Sequence, residues 1–118
     1  MTTVTVINQN KEFRTLYYHG RSQVGPLLVS YVRKRRDDTI RMGITTGKKL
    51  GNAVNRSRCR RLIREAFRLL LPHCRPGFDV VFVARGQMTT ASMQQVQSVM
   101  KRQLIALGVY ETEEGERG

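Results

Sequence analysis

Residues 51–68, GNAVNRSRCRRLIREAFR, constrain this chain more than any other stretch. Advancing about 100° per residue brings Cys59, Leu62, Ile63, Ala66, Phe67 and Leu70 into one apolar stripe. Such a stripe is the buried face of a long amphipathic helix, and a sheet packed against it would cover it. The rest of the helix carries Arg56, Arg58, Arg60, Arg61, Arg64 and Arg68 against a single acid, Glu65. Arg56, Arg60, Arg64 and Arg68 recur every four residues and form a row along one flank. Arg58 and Arg61, with Glu65, lie toward the other, so one helix offers two basic surfaces.

An ordinary solvated helix mixes its signs at spacings of four. Here Glu65 can pair with Arg61 and Arg68 but cannot neutralise six arginines. Each like-charge pair along the row costs a few tenths of a kcal/mol, roughly, in an isolated helix. A polyanion beside the helix reverses that cost. Arginine points to phosphate in particular, because the planar guanidinium grips two oxygens with parallel hydrogen bonds.

The formal charge of +12 extends the argument to the whole chain. Four glutamates, Glu111, Glu113, Glu114 and Glu116, crowd the last eight residues, so residues 1–110 hold 20 basic and 5 acidic side chains, a net of +15. Nucleic acid or an anionic membrane surface fits that charge. No apolar run is long enough to span a bilayer, and the first ten residues lack the pattern of a signal peptide. The expectation is one anion-binding domain over residues 1–110 in the cytoplasm, then an acidic, disordered tail over 111–118.

Cys59 falls in the apolar stripe and reads as a small buried hydrophobe. His73-Cys74 has no second spaced pair to complete a metal site, so none is expected on the protein. The first element reads as a short helix that Asn8 or Asn10 can cap, with Phe13, Leu16 and Tyr17 at helical spacing and Gly20 as its stop. Residues 27–32 and 40–46 read as strands joined by a short polar connection, hence an antiparallel hairpin. Residues 21–24 give a weaker strand signal. Gly47 and Gly51 bracket a basic loop, and the long helix runs over 52–71 to Pro72. Residues 78–84, FDVVFVA, are the strongest strand, and a last helix covers 90–107, capped by Thr89 or Thr90 and closed by Gly108. Its apolar face holds Met93, Val96, Met100, Leu104 and Leu107. The order is that of a small sandwich of sheet and helices.

Phe13 and Tyr17 share a helix face, and Tyr31 lies in a strand. Periodicity leaves two readings open: core packing, or a groove in which bases stack on rings while arginines follow phosphates.

KKLGNAVNRSRCRRLIREAFR resembles the signature of the bacterial ribonuclease P protein family, in which Gly-x-Ala-Val precedes an Arg-Asn-Arg core and Arg-Glu-Ala-Phe follows it. Gly51, Ala53, Val54, Arg56, Arg58, Arg60, Arg61, Arg64, Glu65, Ala66 and Phe67 match. So do Glu12-Phe13, Tyr17, Gly20, Tyr31-Val32, Arg41 to Thr45 and Phe78 to Arg85, so the likeness covers roughly residues 8–107. Two positions depart: Ser57 replaces the central asparagine, and Cys59 a branched apolar residue. Serine still donates and accepts a hydrogen bond but reaches less far.

The resemblance implies an α/β (α+β) two-layer sandwich, with about four strands, three helices and a left-handed βαβ crossover, like the second domain of ribosomal protein S5. It implies a protein subunit of ribonuclease P that binds the catalytic RNA and the 5′ leader of precursor tRNA, in a 1:1 complex. It implies no catalytic residue on the protein, the Mg²⁺ being bound mainly by the RNA. By position, the candidates facing the catalytic RNA are Lys48, Lys49, Asn52, Arg56, Ser57, Arg58 and Arg61. The leader candidates are Phe13, Tyr17, Val29, Tyr31, Thr45, Arg60 and Arg64. Composition alone equally allows a ribosomal-type structural RNA binder, which the central motif disfavours. A stand-alone nuclease fits poorly. His19 and His73 are far apart, and Glu12, Asp37, Asp38, Glu65 and Asp79 are scattered.

Overall fold

The computed structural model describes residues 4–112. Three helices and five strands follow one another as β1 (Val4–Val6), α1 (Asn10–His19), β2 (Arg21–Val24), β3 (Leu28–Lys34), β4 (Ile40–Thr45), α2 (Ala53–Leu70), β5 (Phe78–Ala84) and α3 (Met93–Ala106). One mixed sheet has the order β1-β4-β5-β3-β2. The sandwich of helices and sheet is the expected architecture, with one strand more than expected.

β5 occupies the centre because, Asp79 apart, its side chains are apolar on both faces, and only a strand covered on both sides keeps such a run from water. It pairs parallel with β4 and antiparallel with β3. The expected hairpin of β3 and β4 is therefore absent. The two run in opposite directions, as their short connection requires, but β5 lies between them. α2 makes the crossover from β4 to β5. The extra strand is β1, which pairs parallel with β4, Val4 opposite Ile40.

The main core lies between the sheet and α2 with α3. Cys59, Ile63, Ala66, Phe67 and Leu70 of α2 are buried, while Leu62 of the same stripe is partly so. Val96, Met100, Leu104 and Leu107 pack beside them, facing Val80, Phe82 and Ala84 of β5. Phe67 and Phe82 meet with ring centroids 5.4 Å apart. The buried Ser30 hydroxyl donates to Gln103 Oε1 at 2.6 Å, and Gln103 Nε2 donates to the Leu28 carbonyl at 2.8 Å, so this polar insertion into the core is satisfied.

α1 crosses the opposite face, where Leu16 packs with Ile7 and Val81. Gly20 carries the chain from α1 straight into β2. A Cβ there would lie 2.5 Å from the Leu16 carbonyl oxygen and 2.8 Å from that of Val32. The helix starts differ from the expected caps. α1 begins after Gln9 with no side-chain cap. α3 begins after Ser92, not Thr89 or Thr90. The Ser92 hydroxyl accepts from the Gln95 amide while the Gln95 side chain accepts from the Ser92 amide, a reciprocal pair that residues 89 and 90 lack. Residues 86–90 form a 3-10 turn instead. At the C-terminus the Glu111 amide donates to the His73 carbonyl at 2.8 Å, and Arg75 pairs with Glu111 at 3.5 Å. From residue 113 onward the expected acidic tail lies outside the described residues.

Candidate nucleic-acid interface

Strand register arranges the α1 face of the sheet in three rows. Arg33, Asp79 and Arg41 form one end, Tyr31, Val81 and Gly43 the middle, and Val29, Val83 and Thr45 the other end. α1 lowers Phe13, Leu16 and Tyr17 onto these rows. Phe13 lies against Gly43, where a Cβ would be 2.8 Å from the ring. The Tyr17 hydroxyl and Thr45 Oγ1 are hydrogen-bonded at 2.9 Å, and the Tyr17 and Tyr31 rings meet edge to face at 4.9 Å. Glycine at position 43 thus lets an aromatic ring lie on the sheet beside two further rings.

α2 supplies the opposite wall. Arg60 Nε donates to Thr46 Oγ1 at 3.0 Å, which draws its guanidinium toward the end of β4. Between the helices runs an open groove of about 480 Å³ lined by Asn10, Phe13, Arg14, Tyr17, Thr45 and Arg60. A second recess of about 310 Å³ adjoins it past Phe13 and reaches Arg64. Phe13, Tyr17, Thr45, Arg60 and Arg64 therefore surround one continuous depression, and Tyr31 supports it from the sheet. Val29 lines neither recess. It is buried in the sheet floor, in the row of Thr45.

The other candidate set divides. Lys48 and Lys49 are exposed on a 3-10 turn, Lys48–Leu50, and Ser57 and Arg61 are exposed on α2. Arg56 is partly exposed. Asn52 has a structural task, since its Oδ1 caps α2 by accepting from the Asn55 amide at 3.0 Å. Arg58 is engaged within the protein. Its guanidinium donates to the carbonyls of Met88, Thr89 and Ala91 at 3.3, 3.0 and 2.8 Å. These acceptors belong to the 3-10 turn before α3 and the residue that follows it. Arg58 turns toward that segment because the Thr89 and Ala91 carbonyls at its end need donors, whereas the Met88 carbonyl also accepts from the Ala91 amide at 3.1 Å. Glu65 takes Arg68, at 2.5 Å, and not Arg61. Arg56, Arg61 and Arg64 make no side-chain hydrogen bond or ion pair among the described residues.

The acids are scattered along the sequence, but the fold gathers Glu12, Asp37 and Asp79 around two arginines. Asp79 accepts from Arg41 through both oxygens, at 2.8 Å each, and from Arg35 at 2.9 Å. Arg41 also pairs with Glu12 of α1, and Arg35 with Asp37 at 2.9 Å. Burial pushes the Asp79 carboxyl up, yet the hydrogen bonds from Arg41 and Arg35 outweigh it and hold the group below its ordinary range. Hydrogen bonds from Arg35, then Thr39, hold Asp37 well below the ordinary carboxylate range as well. No local pattern announces partners 38 residues apart, so this network was invisible in the sequence.

The thiols are buried. Desolvation raises Cys59 and pushes Cys74 up to about 12, which keeps both protonated at neutral pH. Among the described residues no three His, Cys, Asp or Glu side chains are grouped to hold a metal ion. No helix there is long and apolar enough to cross a membrane.

Rings and guanidiniums thus line a groove, and cations without side-chain partners among the described residues lie outside it. A family model described as Ribonuclease P matches residues 1–108. The ribonuclease P protein component of Clostridioides difficile is 38% identical over 96 residues, covering 80% of this chain and 84% of the relative. That of Herpetosiphon aurantiacus is 42% identical over 94 residues, covering 80% and 76%. Among solved structures, the Staphylococcus aureus RNase P protein superposes with a TM-score of 0.82 at 30% identity, covering 92% of this chain and all of the other. The Thermotoga maritima RNase P protein gives 0.74 at 26% identity, with 86% and 93% covered.

Proposed function

The chain belongs to the ribonuclease P protein family, and from that premise we propose that it is the RNA-binding subunit of the ribonucleoprotein endonuclease that removes the 5′ leader of precursor tRNA. One observation carries the reading. The groove between α1 and α2 sets Phe13 and Tyr17, backed by Tyr31, against Arg60 and Arg64, while Lys48, Lys49 and Arg61 stand free elsewhere. Rings beside guanidiniums suit an unpaired strand, whose bases can stack on them. The separate cations suit the backbone of a folded RNA, here the catalytic ribonuclease P RNA, in a 1:1 complex.

Hydrolysis belongs to Mg²⁺ ions held by that RNA. The protein's own carboxylates do not suit the role, since Glu12, Asp37 and Asp79 are engaged by arginines. The protein contributes charge. Each cation placed against a phosphate releases counterions and lowers the repulsion between substrate and catalytic RNA.

The test compares cleavage of precursor tRNA by the protein alone, by a bacterial ribonuclease P RNA alone, and by both at low Mg²⁺. Activity restored only in the mixture is the expected result. Cleavage by the protein alone, or an RNA whose low-Mg²⁺ activity the protein fails to rescue, overturns the reading. The second outcome would favour a structural RNA binder.

A further inference from the structure

The outer side of α1 carries a surface that meets the groove only at Arg14 and continues beyond it. Lys11, Arg14 and Tyr18 are spaced three and four residues apart and lie on one side of the helix. Tyr18 is 82% exposed, the most exposed large apolar side chain of the described residues. Arg14 and Lys11 have no side-chain partner there, and Tyr18 none either. Glu12, the only acid of α1, is turned to Arg41. Nothing local neutralises this crest.

A tyrosine in that position adds little to the fold, because an aromatic ring stabilises by being buried. It does offer both faces to a ligand. A ring in water beside two unpaired cations matches single-stranded RNA, with a base on the ring and phosphates at the cations. Arg14 joins this crest to the groove, because it also lines the groove wall. The groove's far wall is α2, the helix that also bears Arg61. A strand passing from the groove over α1 therefore moves away from α2.

We propose that Tyr18, Arg14 and Lys11 form a second stacking platform for single-stranded RNA, taking leader nucleotides upstream of those in the groove. The inference rests on the groove being the leader track. It requires no base preference, since every base has a face to stack.

The experiment measures affinity of the reassembled holoenzyme, under conditions that block cleavage, for mature tRNA and for precursors of increasing leader length. Tyr18→Ala should weaken binding about fivefold or more once the leader outgrows the groove, near the lower end of what one stacked base contributes. It should leave short-leader precursors and mature tRNA unchanged, and Tyr18→Phe should restore the long-leader affinity. Arg14→Ala should lower the salt dependence of long-leader binding by about 0.7 in slope, one phosphate on a single strand. The same loss at every leader length, or none at any length, overturns the proposal. Tyr31→Ala separates the two readings. If it weakens leader binding while Tyr18→Ala is silent, only the platform fails. If neither variant affects any leader, the groove assignment fails with it.

Discussion

Arg41 and Asp79 face one another across the paired parallel strands β4 and β5, and the guanidinium grips both carboxylate oxygens at 2.8 Å. Arg41 also reaches Glu12 on α1. One arginine thus ties the sheet to the helix that carries Phe13 and Tyr17. Arg41→Ala should lower stability by about 2–4 kcal/mol, because it leaves a largely buried carboxylate without its main partner. Urea unfolding measures this. A midpoint within error of the parent's would mean that the pair contributes nothing net.

The same carboxylates set an acid limit. Asp79 and Asp37 titrate lower in the folded chain than in the unfolded one, whose aspartates titrate near about 3.9. Groups lowered on folding contribute stability above their unfolded value and lose it as pH falls through the folded value. Melting temperature should therefore be insensitive to these groups from neutral pH to about 5 and fall below about 4. Asp79→Asn should flatten that fall, and an unchanged acid limb would remove Asp79 from the account.

Arg58 and Arg61 are three residues apart on α2 yet should behave differently. Arg61 has no partner among the described residues, whereas Arg58 holds three carbonyls. Arg61→Ala should reduce the salt dependence of catalytic-RNA binding by about 0.9 in slope, the value for one contacted phosphate on duplex. Arg58→Ala should leave the slope unchanged while amide exchange quickens over residues 86–92. A slope that falls equally in both would show Arg58 to be a phosphate contact.

Gly43 should tolerate no side chain. A Cβ would sit 2.8 Å from the Phe13 ring and 3.1 Å from Ile7 Cβ. Gly43→Ala should cost about 1–3 kcal/mol, as overpacking does. It should also weaken leader-containing substrate by displacing Phe13. Thermal melting and substrate titration check the two effects separately.

Arg60→Ala combined with Tyr31→Ala should weaken leader-containing substrate more than mature tRNA. Loss of one stacked base and its neighbouring cation amounts to about 1–3 kcal/mol. Competition between the two substrates for the holoenzyme measures the difference, and equal losses would move the leader track elsewhere.

Much of this was legible in residue order. The stripe of α2 from Cys59 to Leu70 and the run of β5 follow from period alone, because burial acts on every turn and every alternate residue. The spacing of Arg60 and Arg64 placed them on one flank, and the groove confirms that they share it. β1 escaped because three residues with one parallel partner carry little local signal. The β3–β4 hairpin was misread because chain proximity predicts direction but not which strand wins the central place.

What the sequence determined by itself was the set of amphipathic elements and the excess of cation that calls for phosphate. Both are sums over neighbours in the chain, so order suffices to read them. Tertiary structure decided which cations remain available. Arg58 and Arg61 are alike in sequence, but carbonyls 30 to 33 residues away claim the first and leave the second in water. Asp79 likewise acquired its partners from another strand. Hydrogen bonds of this kind depend on distances that only the packed fold sets, and they separate the residues that hold the surface in shape from those free to bind on it.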